Sequence, residues 1–238
     1  MRSAKSIGRI IGILLLVHLA TGLTVPYILM HPLTSPPGFL ASAAGMAFQV
    51  RLSVLVLFVG GAVTVGIAIA AWPVIRQYSY ALALWLLALA VVNFSLQAVE
   101  NGHWLSMLSL SQEYAQAGAA DAGLFQAQGA VVRAAWKWEH YTHLLVVVIW
   151  MFVLYGVLYR SALVPRALAA SGMVAAILQI TGITLPQLLD YYVPSPTLFG
   201  LPLGLTYLAL AFWLMAKGFG ERRHPVGEET HEAELSRA

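Results

Sequence analysis

Six stretches of the chain are apolar for about the length that a membrane is thick. They run approximately Ile10–Met30, Leu52–Ile75, Tyr80–Val99, Tyr141–Tyr159, Leu168–Leu188 and Leu201–Ala216. A bilayer core of about 30 Å is crossed by about 20 helical residues rising 1.5 Å each. Each stretch therefore predicts one transmembrane α-helix. The connections are of two kinds. "RQYS" after the second span and "RSALVPR" after the fourth are short, and short loops join antiparallel neighbours. On the other side "HPLTSPPGFLASAAGMAFQV" is punctuated by prolines at its start and is expected to hold a short surface helix. The segment from Leu105 to Ala135 has few helix breakers and is rich in Ala, Gln and Leu. It either continues spans three and four beyond the bilayer or lies along the surface as an amphipathic helix. Gly60, Gly61 and Gly66 offer the second span a surface that a neighbouring helix can approach closely. The pattern predicts an all-α polytopic protein with a single six-helix domain over residues 1–217 and a polar, flexible tail over 218–238.

Composition narrows the class further. Of 238 residues, 60% are hydrophobic and only 10% charged, where a soluble domain carries roughly 25%. Such a chain cannot cover a water-facing surface, which makes it a membrane protein. Charge then sets orientation. Arg2, Lys5, Arg9, Arg76, Arg160, Arg166, Lys217, Arg222, Arg223 and Arg237 fall on one side of the spans, against Arg51, Arg133 and Lys137 on the other. By the positive-inside rule both termini are cytoplasmic. So uneven a distribution speaks for membrane orientation and not for nucleic acid as a partner. Ile10–Met30 follows Arg2, Lys5 and Arg9 as a signal sequence would, but it is long enough to span and no clean small-x-small cleavage site follows. It is expected to be an uncleaved first helix, and the address that fits best is the bacterial inner membrane. There is no cysteine, which excludes disulfides, thiolate metal sites and cysteine nucleophiles.

The candidate chemistry sits at the outer rim. In "WKWEHYTHLLVVVIW" (Trp136 to Trp150), Glu139, His140 and His143 stand at the lip of an apolar run. About 20 residues of helix counted back from Arg160 place His140 at the outer boundary and His143 one turn deeper. Counted forward from Tyr80, Glu100 reaches the same level, with His103 one turn further out. His31, Arg51, Gln187 and Asp190 are expected in that layer too, among Trp104, Trp136, Trp138, Tyr141, Tyr191 and Tyr192, as an aromatic belt. Glu139 and His143, four apart, share a helix face, as do His140 and His143, three apart. Glu100 and His103 form a Glu-x-x-His pair, a spacing used by metal sites in helical bundles. Asn93, Gln97, Glu100 and Trp104 trace one polar stripe down the third span, and Gln179, Thr184 and Gln187 are a matching lining on the fifth. His18 lies near mid-bilayer, with Thr21 one turn above it. Charged residues at helix ends commonly act as plain interfacial anchors. His143 resists that reading because it is expected below the headgroups, Glu100 because it ends a polar stripe instead of a free surface, and His18 because an intramembrane ionisable residue is by default a functional one.

One stretch has a wider resemblance. "YGVLYRSALVPRALAASGMVAAILQITG", from Tyr155 to Gly182, with "IGRIIGILLLVHLATGL" near the N-terminus and "VRLSVLVLFVGGAV" at the second span, resembles the bacterial family called domain of unknown function 4386 over most of residues 7–217. The Tyr-Arg-Ser to Pro-Arg turn is its specific part. The resemblance implies a six-helix membrane protein and brings no activity with it.

The residues support several functions. The leading expectation is a metal site built from Glu100, His103, Glu139, His140 and His143. These supply imidazole and carboxylate enough for zinc or non-haem iron without any thiolate. Such a site would act on the polar end of a membrane lipid or a lipid-, quinone- or isoprenoid-like molecule. The second expectation keeps the site without a metal, with Glu100 or Glu139 as general acid and a histidine as base, for an isomerase- or cyclase-type reaction. In a third, His18 and a second histidine are axial ligands of a b-type haem. Transport and a sensory or structural role complete the set; prolines near helix ends, such as Pro26 and Pro186, give no sign of paired broken helices.

Overall fold

The computed structural model describes residues 3–117, 121–189 and 197–220. Among them there is no strand, and six helices are long and apolar enough to cross a membrane. The first is α1 (Ala4–Thr24), capped by Ser3, whose hydroxyl accepts the Ser6 N–H. It runs into a π-helical turn at Val25–Leu29, with Pro26 at its start. Proline has no N–H to give to the α-helical ladder, and here the ladder widens until Met30 N–H reaches Val25 O. Two short helices follow, α2 (His31–Thr34) and α3 (Phe39–Ser42), and then α4 (Ala47–Ile75). The surface helix expected in this loop is thus two short ones. The remaining spans are α5 (Tyr80–Gln116), α6 (Ala122–Ser161), α7 (Arg166–Leu189) and α8 (Thr197–Lys217).

Of the two alternatives for residues 105–135, helix continuation is the one observed. At 1.5 Å per residue α5 and α6 are each about 55–60 Å long, roughly twice the thickness of a bilayer core. The first outer loop braces this extension. Ser111 Oγ donates to Leu40 O and accepts from Ala44 N–H, both at 2.9 Å. Phe39 and Leu40 lie over Gly129 of α6.

The six spans close into a ring. Each of α4, α5, α6, α7 and α8 packs against its neighbours in the chain, and α1 packs against both α4 and α8. The last contact is backbone-close. A Cβ on Gly8 would strike the backbone at Phe219, and one on Gly12 the backbone at Ala211 and Met215. Gly60 and Gly61 behave as expected, the first beneath Thr21 of α1 and the second beneath Phe94 and Gln97 of α5, whereas Gly66 faces no neighbour. Gly220 N–H bonds Leu163 O in the α6–α7 turn at 2.9 Å. Both ends of the bundle's chain therefore lie at the face that carries this turn. Outward, the spans present Ile13, Leu55, Phe58, Ile69, Val174, Ile177 and Phe212, the surface a hydrocarbon solvent requires.

Candidate functional site

Helix rise sets depth. Glu100 lies about 30 Å along α5 from Tyr80, and His143 about 27 Å along α6 from Ser161. Both therefore arrive at the membrane boundary opposite the chain ends, and ring packing sets α5 beside α6. There the Glu100 carboxylate accepts two hydrogen bonds, from His140 Nδ1 onto Oε1 at 2.8 Å and from His143 Nδ1 onto Oε2 at 2.7 Å. His143 Nε2 is 2.6 Å from Asn93 Oδ1. The network spans about two turns of α5 and one of α6.

Exposure falls inward along it. The His140 side chain is 40% exposed, against 7% for Glu100 and 9% for His143. Burying a carboxylate is costly unless charge and hydrogen bonds compensate it, and two imidazole donors meet both demands. With Asn93 Oδ1 toward Nε2, both nitrogens of His143 face acceptors, an arrangement that suits a doubly protonated ring. Turning the Asn93 amide by 180° presents its NH2 group to Nε2 and suits a neutral ring, since amide orientation follows the hydrogen-bond network. Asn93 can therefore serve His143 in either protonation state.

Aromatic walls close the outer side. His140 stacks on Trp136 at 5.4 Å between centroids and 19° between planes, and Trp136 packs on Trp104 at 4.9 Å. Trp104 is buried and Trp136 half-buried. They wall the site instead of floating in a belt, because the α5–α6 extension continues past them; Trp138, exposed, keeps the belt position. A groove of ≈ 680 Å³ runs outward between α5 and α6, lined among others by Leu105, Leu110, Glu113, Val131 and Val132.

The other anticipated residues stand apart. Glu139, expected to face Glu100, makes no hydrogen bond to it, and its Oε1 is buried with no partner. His140 holds the position expected for it. The reason is angular: residues 136, 140 and 143 follow the α5-facing side of α6, and residue 139 is turned about 100° from 140. His103 is half-buried on α5 and takes no part in the network. Among the described residues no group of three or more His, Asp and Glu side chains has the spacing to hold a metal ion. Glu139 and His103 stand outside the group that does meet, in which His140 and His143 each turn Nδ1 onto the Glu100 carboxylate and His143 turns Nε2 onto Asn93. Within the polar stripe, Gln97 gives its amide to Asn101 Oδ1 at 3.2 Å, and Asn101 bonds Val54 O on α4. Gln179 lies against Gly200 of α8, while Gln187 and His31 are exposed. Asp190, Tyr191 and Tyr192, and the tail from residue 221, lie outside the described residues.

His18 is part of a second grouping, deeper in the bundle. Its Nδ1 is 3.0 Å from Tyr207 Oη on α8, and its ring is 6.4 Å from that of Trp150 on α6. It is paired with a tyrosine and a tryptophan and makes no hydrogen bond or ring contact with a second histidine. Tyr207 and Trp150 carry no signal in the sequence, being aromatic residues inside apolar spans. Asn93 did carry one, as the inner end of the stripe at four- and three-residue spacing.

A family model described as domain of unknown function (DUF4386) matches residues 10–218. Nothing among the curated proteins or the solved structures matches the chain.

Proposed function

The chain belongs to the DUF4386 family, and on that premise we propose that it is a metal-free acid–base membrane enzyme whose rim site moves a proton to or from the polar end of a lipid-, quinone- or isoprenoid-like molecule. The observation that carries this reading is the Glu100 carboxylate held between two imidazoles of graded exposure. His140 is the group that meets substrate. Its Nδ1 is held by Glu100, which leaves Nε2 for the exchanging proton. Glu100 is a positioning residue that stabilises the charge on His140 as it takes up that proton, the role a carboxylate plays behind a catalytic histidine. His143 is a second proton store behind the same carboxylate.

What supports a lipid-like substrate is place and shape. The site lies at the membrane boundary, and an open, mostly apolar surface groove lies further out between α5 and α6. In our reading the membrane is the bacterial inner membrane, with the site on its outer side and both termini in the cytoplasm, by the distribution of Lys and Arg.

The test does not require the substrate to be known. Purified protein is reconstituted with a native lipid extract in deuterated water, and the lipids are then examined by mass spectrometry. Acid–base chemistry at carbon incorporates solvent deuterium into one lipid class with wild-type protein and not with His140→Phe or Glu100→Gln. Equal deuterium content with wild-type and variants, all folded, would remove the proposal.

A further inference from the structure

Polar groups continue inward from the rim site along one face of α6. Glu139, His143 and Trp150 are separated by four and seven residues, spacings that bring them to the same side of a helix. Two of the three carry a buried polar atom without a partner in the protein, Glu139 Oε1 and Trp150 Nε1. Trp150 is fully buried. A native interior rarely leaves such an N–H unmet, and an ordered water is its usual partner. The ring of His18 stands beside that indole, with Tyr207 Oη on its Nδ1. Tyr155 is the next hydroxyl inward; it donates to Thr206 Oγ1 at 3.4 Å.

The distances along the helices agree. His143 lies about 27 Å from the inner end of α6, Trp150 about 16 Å, and Tyr207 about 15 Å from the end of α8. Below Tyr155 the bundle is closed by Leu158, Leu163, Leu210 and Leu214, all buried.

We propose that His18, Tyr207 and Trp150 form the mid-membrane end of a proton path that enters at His140 and passes through Glu100 and His143. The inference rests on the proton-handling role of the rim site and extends it inward. The apolar plug makes it a path that loads and unloads from the outer side only. The step moves a proton and no electrons. His143 Nε2–H, once released from Asn93 Oδ1, gives its proton to a file of waters that covers the roughly 10 Å of helix rise to Trp150, and the last of them, bonded to Trp150 Nε1–H, gives one to His18. His18 takes a proton on one ring nitrogen and shares the other with Tyr207. The same sequence reversed returns it.

The experiment is solvent exchange of the His18 ring N–H, read by nuclear magnetic resonance on protein with ¹⁵N-labelled histidine in lipid nanodiscs. In the wild type His18 exchanges with bulk water. Trp150→Phe, which keeps an aromatic side chain but removes the indole N–H together with the five-membered ring that carries it, is expected to slow that exchange at least tenfold, and His143→Phe likewise. Unchanged His18 exchange in a folded Trp150→Phe protein, or a wild-type His18 that does not exchange, overturns the path. Failure here is distinct from failure of the rim reading. Deuterium entering lipid in a Glu100-dependent way while His18 stays isolated sinks only the path. His143-dependent exchange at His18 without any lipid deuteration keeps the path and sinks the enzyme.

Discussion

His143 Nδ1 lies 2.7 Å from Glu100 Oε2, a bond between two helices at the membrane boundary with both partners buried. A carboxylate in that position is tolerated only because imidazole donors meet both of its oxygens. The pair thus ties the packing of α5 against α6 to a protonation state, and its loss has consequences that can be measured.

Replacing Glu100 by Ala leaves His143 buried without its acceptor. Breaking one side of a buried charged pair costs about 3–5 kcal/mol, so the variant should unfold at markedly lower temperature in nanodiscs. Glu139→Gln keeps the volume of a side chain outside the network and should cost clearly less than Glu100→Ala. Equal losses from both would mean that the network is not the stabilising element.

Asn93→Leu removes the partner that His143 Nε2 has among the described residues while roughly keeping volume. An unmet buried polar group costs about 1–3 kcal/mol. The His143 ring should then be found in the neutral form that keeps Nδ1–H on Glu100 and leaves Nε2 without a proton, visible in its ¹⁵N chemical shifts. A doubly protonated His143 in this variant would show that Asn93 does not govern its state.

Metal content separates the acid–base reading from the metal centre expected on composition. Elemental mass spectrometry of gently purified protein should find zinc, iron and manganese well below one equivalent, unchanged in His143→Ala. Near-stoichiometric metal, lost in that variant, would replace our assignment with a metal site.

Orientation is open to direct labelling because the chain has no cysteine of its own. In spheroplasts, Ser109→Cys on the outer extension should react with a membrane-impermeant maleimide, and Gln77→Cys in the α4–α5 turn only after lysis. The reverse result would invert the topology and move the rim site to the cytoplasmic side.

Depth was legible in the sequence, and direction around a helix was not. Glu100, His140 and His143 fall at one level because the rise of 1.5 Å per residue is the same for every helix. Glu139, His140 and His143 are all near that level, and a count along the chain cannot choose which of them turn to α5. Trp136 looked like a belt residue because Trp is frequent at interfaces. It lines the site because α5 and α6 continue outward around it.

The sequence by itself determined the six crossings, since a bilayer demands about 20 apolar residues for each and accepts few charges within them. It also determined that ionisable groups gather at one rim. Only the tertiary structure decided that Tyr207, near the end of the chain, meets His18, near its beginning. That contact depends on α8 closing the ring against α1 through Gly8 and Gly12. Lipid tails are as apolar as the side chains they surround, so hydrophobicity drives insertion but does not choose helix neighbours. Close packing and interhelical hydrogen bonds make that choice.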